Sequence, residues 1–261
     1  MDVRQATGFL AVCLSMALAV AAQAQDARKL SLPPGARIGV IDLMSTDVTH
    51  FHAARTTANS FMRTYKVEWP LATQLEQPLA ERIRAAGYQP VPIDPGDLLR
   101  RNRQDWFVTT TRAPKLAKAC TDELARIAAA EQVAAIVIVA PGTNASPEAV
   151  QGNRLRQIPA YVQGWGFSTV EDSAGEAAKP MIFNLLQLIL VDITPEGARM
   201  RHREWGGRYL YEWSTFVPPP DMRTLPDTEI QKLQPLLVDV LSRQANRLFE
   251  RIESAPTQAA Q

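Results

Sequence analysis

The amino-acid sequence predicts a mixed α/β domain: a βαβαβ start, antiparallel hairpin strands in the same mixed sheet, helices packed on that sheet, and a C-terminal amphipathic helix. The main observation is the apolar run of residues 181–193, which only Asn184 and Gln187 interrupt. Such a run is typical of a strand that is covered on both faces. Two further apolar strands, at residues 36–43 and 134–140, are separated by helical patterns, which predicts parallel pairing with crossover helices.

The helices follow from the spacing of apolar residues. This spacing predicts helices at residues 69–86, 114–131 and about 226–252. Pro78 and Pro235 should kink or interrupt the first and the last of them, because proline cannot donate an intrahelical hydrogen bond.

The remaining strands are predicted at residues 88–93, 160–169 and 198–205. The prolines within 88–93 cannot donate ladder hydrogen bonds, which places this strand near an edge of the sheet. Thr194-Pro195-Glu196-Gly197 has the composition of a tight turn. The strand at 198–205 should therefore pair antiparallel with the run at 181–193.

The N-terminus predicts export. An apolar segment at residues 9–22 is too short to span a bilayer comfortably, and Ala22-Gln23-Ala24 is a small-x-small cleavage motif. We therefore predict a signal peptide over residues 1–24 and a periplasmic or secreted mature protein. The expected mature chain consists of an extended lead-in at 25–35, a single mixed α/β domain at 36–253 and a disordered tail at 254–261.

Charge and cysteine usage limit the classes of function. The chain has 28 basic and 27 acidic residues, and a net charge of +1 argues against a nucleic-acid partner. No stretch after the leader is long and apolar enough for a transmembrane helix, so the mature chain is expected to be soluble. Cys13 lies in the predicted leader, which leaves Cys120 without an internal disulfide partner. Its position on an apolar helical stripe predicts a buried, inert thiol.

One cluster contains residues of the metal-ligand type. Residues 44–67 have no clean helical or strand period, which predicts either an insertion with short elements of its own or a functional loop. Within this segment, His50 and His52 should point to the same side of an extended chain, and with Asp47 they could hold zinc or another transition metal. The alternative is that the histidines have local polar or capping roles.

A second group of candidates lies in the C-terminal half of the chain. On the strand at 198–205, alternation predicts that three arginines and a tryptophan share one face, where they could bind an anion or protect an exposed sheet edge. Neighbouring aromatic residues could stack on sugars or contact a protein, although core packing is the favoured interpretation. The candidate partner or glycan surface comprises Trp165, Arg199, Arg201, Arg203, Trp205, Tyr209, Tyr211 and Trp213.

Familiar catalytic and nucleotide-binding motifs are missing from the sequence. There is no Gly-x-Ser-x-Gly elbow, and Gly164-Trp165-Gly166 has the wrong spacing for a phosphate loop and does not lead into a helix. Asp42 ends the first strand, where α/β sheets often place functional groups, but this argument is an analogy of fold alone. The sequence therefore predicts no catalytic residue and no cofactor other than the alternative metal.

The order of motifs resembles a known group of envelope domains. The strand Ile38-Gly39-Val40-Ile41, the helix end Leu79-Ala80-Glu81-Arg82-Ile83-Arg84-Ala85-Ala86-Gly87-Tyr88 and the hairpin Leu188-Ile189-Leu190-Val191-Asp192-Ile193-Thr194-Pro195-Glu196-Gly197 are similar to the periplasmic α/β domain of CsgG-type curli-secretion proteins and the TolB amino-terminal domain. The resemblance implies a noncatalytic protein that binds other proteins or assembles into secretion structures. The chain departs from this pattern because it lacks a lipid-anchoring cysteine and long alternating hairpins, so no pore is expected and no functional residue is transferred.

Together these observations predict an exported, soluble, noncatalytic bacterial envelope protein that acts through protein–protein contacts, as an accessory to secretion or surface assembly. An envelope protein partner is expected, and a homo-oligomer stays open. The first alternative is a periplasmic metal-binding protein or metal-dependent enzyme that uses Asp47, His50 and His52. The second alternative is a cell-wall glycan binder.

Overall fold

The structure of the protein is a computed structural model that describes residues 32–44, 47–67, 71–101, 107–109, 114–142, 162–171, 180–206 and 211–253. Its strands are β1 (Arg37–Asp42), β2 (Val48–Ala53), β3 (Phe61–Tyr65), β4 (Gln89–Ile93), β5 (Phe107–Thr109), β6 (Pro114–Leu116), β7 (Ala135–Pro141), β8 (Trp165–Val170), β9 (Met181–Asn184), β10 (Leu186–Thr194), β11 (Gly197–Trp205) and β12 (Tyr211–Glu212). Its helices are α1 (Leu71–Ala85), α2 (Gly96–Arg101), α3 (Lys118–Glu131), α4 (Asp227–Gln231) and α5 (Leu233–Glu253). The predicted mixed α/β class is confirmed.

The first sheet has the strand order β11-β10-β7-β1-β4. β1 pairs in parallel with both β4 and β7, as the βαβαβ pattern predicts. β10 and β11 form the predicted antiparallel hairpin, and β10 also runs antiparallel to β7. The sheet is therefore mixed, with the apolar strands β1 and β7 in its interior.

β4 is an edge strand, as its prolines predict. Gln89 donates its backbone N–H to the carbonyl of Ala36 at 3.0 Å. Because alternate residues of a strand direct their N–H and C=O groups to the same side, Gln89 and Val91 face β1. Pro90 and Pro92 occupy the outward positions, where they remove the N–H donors that this edge would otherwise expose.

A second sheet, with the order β12-β9-β8-β2-β3, corrects the prediction of one mixed sheet. The apolar run at 181–193 divides at Leu185, so that β9 belongs to the second sheet and β10 to the first. Leu185 donates its N–H to the carbonyl of Gly164 at 2.6 Å and accepts the N–H of Gly142 at 2.9 Å. The prediction of strand structure is confirmed, but the prediction of a single strand in a single sheet is wrong.

Asn184 explains why the run divides. Its Oδ1 accepts the N–H of Leu186 at 2.8 Å, and its Nδ2 donates to Oε1 of Gln244 on α5 at 3.2 Å. Gln244 in turn donates its Nε2 to the carbonyls of Leu186 and Glu204, at 3.1 and 2.9 Å. Asn184 and Gln244 are fully buried, so these bonds satisfy the backbone where the two sheets meet and hold that junction against α5.

The segment at residues 44–67 contains β2 and β3, so it is an insertion with short elements of its own. β2 alternates between buried and half-buried residues, with Val48, His50 and His52 on the buried side. Because two of the three buried residues are histidines, a hydrophobic pattern does not reveal the strand period.

Several predicted boundaries differ from the structure. Residues 114–116 belong to β6 rather than to a helix, and α3 begins after Ala117, which has an extended backbone. The strand predicted at 160–169 begins later, as β8. The C-terminal pattern divides into α4 and α5 at Lys232, and Pro235 lies in the first turn of α5, where a proline is tolerated.

The helices pack on both faces of the first sheet. α3 covers one face, while α1 and the C-terminal half of α5 cover the other. The N-terminal half of α5, together with α4, covers one face of the second sheet. The C-terminal amphipathic helix is therefore confirmed, and it spans both sheets. Its buried face consists of Leu233, Leu237, Val240, Leu241, Gln244, Ala245, Leu248 and Phe249.

Within the described residues, no helix has the length and hydrophobicity needed to cross a membrane. The predicted leader at 1–24 and the predicted tail at 254–261 lie outside the described residues, as does most of the predicted lead-in.

Candidate functional site

The two histidines of the predicted metal cluster lie near each other on β2. Their ring centroids are 6.2 Å apart and both side chains are buried, on the same side of the strand as predicted. Asp47 precedes them by an odd number of residues, so strand alternation directs it to the opposite face. There it lines a cavity with Thr49 and Thr64. The structure therefore does not bring the three predicted ligands together.

Thr169 on β8 joins the two histidines. Its Oγ1 lies 2.8 Å from Nε2 of His50 and 2.7 Å from Nδ1 of His52. On the far side of His52, Nε2 lies 3.5 Å from Oε1 of Glu171. The backbone N–H of Arg55 donates to the Glu171 carboxylate at 3.0 Å and lowers its pKa. The result is a continuous line of polar side chains from buried His50 to half-buried Glu171.

When each imidazole carries a single proton, one arrangement of protons gives every contact between these side chains a donor and an acceptor. The Glu171 carboxylate accepts from Nε2–H of His52, so Nδ1 of His52 accepts the hydroxyl proton of Thr169. The Thr169 oxygen then accepts from Nε2–H of His50. Nδ1 of His50 is left as a buried acceptor that has no partner in the described part of the chain.

His50 packs as an aromatic core residue. Its ring stacks on Phe167 with centroids 4.2 Å apart, and meets the edge of Phe61 at 5.0 Å. Burial lowers the pKa of His50 to about 3, with smaller contributions from His52 and Arg63. The side chain is therefore neutral at physiological pH.

We expect buried His50 to make the fold sensitive to mild acid. The histidine has an ordinary pKa of 6.5 when unfolded, against about 3 in the folded protein. Stability is complete above pH 6.5 and falls as the pH drops toward 3, because the unfolded chain takes up a proton that the folded protein excludes. This site should contribute a loss of about 2 kcal/mol between pH 7.5 and pH 5, measured by urea unfolding at both values.

His50→Gln is the matched control for this pH dependence. Glutamine retains an N–H donor for the Thr169 hydroxyl but does not titrate. The variant should therefore lose about 2 kcal/mol less than the parent over the same pH interval, whatever its absolute stability. Equal losses in the two proteins would contradict the burial of a neutral imidazole at this position.

The network can be compared with known catalytic and metal-binding arrangements. The order carboxylate, imidazole, hydroxyl is that of a hydrolytic triad, but Thr169 is fully buried and its oxygen also forms a hydrogen bond with His50. Within the described ranges, no three His, Cys, Asp or Glu side chains are arranged to hold a metal ion. The network instead links β2 to β8 through side chains.

Asp42 lies at the carboxyl end of β1, as predicted from the sequence. Burial raises its pKa, and the backbone N–H of Met44, 2.8 Å from Oδ1, acts in the opposite direction. Burial and then the charge of Asp42 raise the pKa of Glu76 on α1. The two carboxyl groups are neighbours at the end of the parallel strands, but no described side chain joins them to form a metal site.

The arginines of β11 do not share one face. The pairing of β10 with β11 shifts register between Leu190 and Val191, and Arg201 is the extra residue of this β-bulge. The extra residue reverses the alternation of the strand, so Arg199 and Arg203 point to opposite faces of the sheet. The prediction of a single arginine face is therefore wrong.

Two of these arginines instead contact their own sheet. Arg201 forms two hydrogen bonds with Oδ2 of Asp192, at 2.6 and 2.9 Å. Arg203 donates to Oε1 of Gln187 at 3.3 Å. Because β11 is an edge strand with a bulge, these positions fit the protection of an edge, which is one of the two interpretations that the sequence offers.

The tryptophans of the candidate glycan surface are core residues. Trp165, Trp205 and Trp213 are all buried, so they do not present rings on which a sugar could stack. Trp165 and Trp213 pack between the second sheet and α5, and Trp205 packs with Phe183. Tyr209 and the side chain of Tyr211, the remaining candidates, lie outside the described residues.

Cys120 is the buried thiol that the sequence predicts. It is unpaired and lies in the core between α3 and the first sheet. Burial raises its pKa to about 12, so the thiol is protonated and unreactive at neutral pH.

Among the edge strands of the two five-stranded sheets, β3 is the one that has neither a proline nor a bulge and is longer than two residues. β3 pairs with β2 alone, contains no proline, and exposes Met62, Arg63 and Thr64. The other edge strands of the two five-stranded sheets each have a feature that disfavours an added strand. β4 has its prolines, β11 has its bulge, and β12 has two residues in the described part of the chain.

The hydrogen bonds of β2 define which of its residues face β3. Glu171 donates its backbone N–H to the carbonyl of Ala53 at 3.0 Å, so Ala53 and alternate residues of β2 face β8. The intervening residues, which include His50, therefore face β3.

The outward groups of β3 follow from this register. His50 pairs with Arg63, so Arg63 directs its N–H and C=O toward β2. Met62 and Thr64, on either side, direct theirs away from the sheet. This edge therefore offers two N–H donors and two C=O acceptors to an incoming strand.

Sequence reasoning missed three of the residues that define these sites. Thr169 and Glu171 contact histidines more than a hundred positions earlier in the chain. No local sequence pattern predicts side-chain contacts over such a distance. Thr64 faces outward only because of the β2 register. If histidine is counted among the inward-facing residues, alternation with a period of two predicts β2. The neighbouring edge strand β3 then follows.

The described residues define a mixed α/β protein with two five-stranded sheets, a buried histidine–threonine network and an exposed edge strand, β3. No protein-family model matches the chain, and no curated protein matches it. The chain is similar to the solved structure of a hypothetical protein, CT253, from Chlamydia trachomatis, with 8% identity and a TM-score of 0.37. The match covers 84% of this chain and 96% of that chain. No relationship to CsgG-type or TolB domains is shown, and that resemblance stays a prediction.

Proposed function

We propose that this is an exported, noncatalytic envelope protein that binds an extended segment of another protein along β3. An added strand would form main-chain hydrogen bonds with Met62 and Thr64, which is the mode of recognition known as β-augmentation. The observation that carries the proposal is the contrast between β3 and the protected edges of the same two sheets. An accessory role in secretion or surface assembly fits such a binding mode.

The buried histidines contribute to this surface indirectly. β2 lies between β3 and β8, and Thr169 bridges His50 and His52 on β2 to β8. The network therefore supports the strand on which the open edge depends. A rigid edge loses less conformational freedom on binding than a flexible one, which favours affinity.

Thr64→Pro tests the proposed function. Proline removes an outward N–H, whereas the bonds between β2 and β3 use the neighbouring residues, so the fold should persist with little change in Tm. Purified wild-type protein, immobilised and exposed to an envelope extract of the source organism, should retain a defined partner that Thr64→Pro loses at least tenfold.

Thr64→Val is the matched control because valine keeps the backbone N–H and suits a strand. It should retain the same partner as the wild type. Equal retention by Thr64→Pro and Thr64→Val, or no partner retained by any of the three proteins, would refute binding at this edge.

A further inference from the structure

Three cationic side chains lie around β3. Arg63 lies within the strand, Lys66 follows it, and Arg223 reaches the same edge from the segment before α4; all three are exposed. The Arg63 guanidinium lies 5.3 Å from the centroid of the Tyr65 ring and donates to the carbonyl of Arg223. The Arg223 guanidinium lies 5.2 Å from the centroid of Phe61. Aromatic rings of β3 thus hold two cations beside the open edge.

These cations have no acidic side chain of their own within the described structure. None of the ion pairs formed among described residues involves Arg63, Lys66 or Arg223. The nearby carboxylate of Asp221 accepts the backbone N–H of Arg223 at 2.9 Å. Asp47, which lines a cavity with Thr64, is the second carboxylate near the strand. Three cations against two carboxylates leave this edge with an excess of positive charge.

The opposite face of the same strand carries an exposed methionine. Met62 is 51% exposed, and its cross-strand neighbour Phe51 on β2 is half-buried. Strand alternation separates Met62 from Arg63, so the two faces of β3 differ in chemistry. A strand paired with β3 would place alternate side chains beside the cations and beside this methionine.

We propose that the segment bound at β3 is an extended strand of a partner protein in which acidic and apolar side chains alternate. This inference rests on the proposed function and adds the chemistry of the partner. The acidic side chains would lie beside Arg63 and Arg223, and the apolar ones beside Met62 and Phe51. A second copy of this chain is a poor occupant, because its own β3 would bring the same cations into repulsive contact.

Two capped synthetic peptides test the proposal directly: one alternates valine with glutamate, and the other alternates valine with lysine. Fluorescence anisotropy at low salt should show the acidic peptide binding at least about tenfold more tightly. This preference should shrink as salt is added, because the cations are exposed.

Reversing the charge of the cations at β3 tests whether they cause the preference for the acidic peptide. Arg63→Glu combined with Lys66→Glu should abolish or reverse the preference for the acidic peptide. Lys115→Glu, an exposed lysine on β6 in a different sheet, is the matched control and should leave the preference unchanged. Equal binding of both peptides, or an equal effect of the control substitution, would overturn the proposed chemistry.

Thr64→Pro separates this inference from the proposed function. If both peptides bind the wild type equally and Thr64→Pro weakens both, β3 is a binding edge without a preference for acidic strands. If neither peptide binds, or if Thr64→Pro binds them as well as the wild type, both the edge and the partner chemistry are wrong.

Discussion

Replacing Gly166 with alanine is expected to lower the free energy of unfolding by about 3 kcal/mol or more. Gly166 on β8 pairs with Thr49 on β2, and a Cβ atom at this position would lie 1.8 Å from the carbonyl oxygen of Thr49. The atoms in the way belong to backbone, so β2 and β8 would have to separate. Urea unfolding at neutral pH measures the effect.

Gly39→Ala is the comparison for this prediction. Its added Cβ would lie 2.4 Å from Cδ1 of Ile93, which is the far end of a flexible side chain. Rotation of Ile93 can relieve this contact, so the expected loss is about 1–2 kcal/mol. A larger loss for Gly39→Ala than for Gly166→Ala would contradict the close approach of β2 and β8.

Replacing Gln244 with methionine is expected to destabilise the protein by about 3 kcal/mol. Methionine has a similar size, but it can neither donate to the carbonyls of Leu186 and Glu204 nor accept as well from Asn184. Three buried polar groups at the junction of the sheets would lose their partner, and each such loss costs about 1–3 kcal/mol before relaxation. Urea unfolding of the variant and the parent gives the difference.

Gln231→Met provides the control for the loss of the amide itself. Gln231 is exposed at the end of α4, so this substitution should change stability by less than about 0.5 kcal/mol. If Gln244→Met were equally mild, Gln244 could not be the residue that satisfies the junction of the two sheets.

The fold was predictable where local pattern and tertiary environment agree. The parallel strands β1 and β7 are apolar on both faces, and they lie inside a sheet. The prolines of β4 indicated an edge for a reason that the register confirms, because they replace outward N–H groups. The turn before Gly197 closes the predicted hairpin. In each case the required information lies within a few residues of the element.

The division into two sheets was not predictable in this way. The run at 181–193 has the composition of one strand, and Asn184 looks like a minor interruption. The role of Asn184 at the junction of the sheets depends on its hydrogen bond with Gln244, which is 60 positions away. This contact exists only because α5 packs against the junction. A bulge at Arg201 likewise reverses an alternation that the sequence alone presents as regular.

The candidate site was predicted in part. Spacing placed His50 and His52 on one side of an extended chain, but it could not show that a threonine from β8 would occupy the space between them. The tryptophans show another limit of sequence-based prediction. An aromatic residue can lie in the core or at the surface, and only the tertiary packing determines which. For Trp165, Trp205 and Trp213 the core interpretation is correct.

Residue-resolved hydrogen exchange tests the open edge of β3 most directly. In the protein alone, the amides of Met62 and Thr64 should exchange rapidly, while those of Arg63 and Tyr65, which donate to β2, should be protected. Saturating acidic peptide should then protect Met62 and Thr64. Slow exchange of those two amides before any peptide is added, or unchanged exchange once the peptide is bound, would contradict a strand-binding edge at β3.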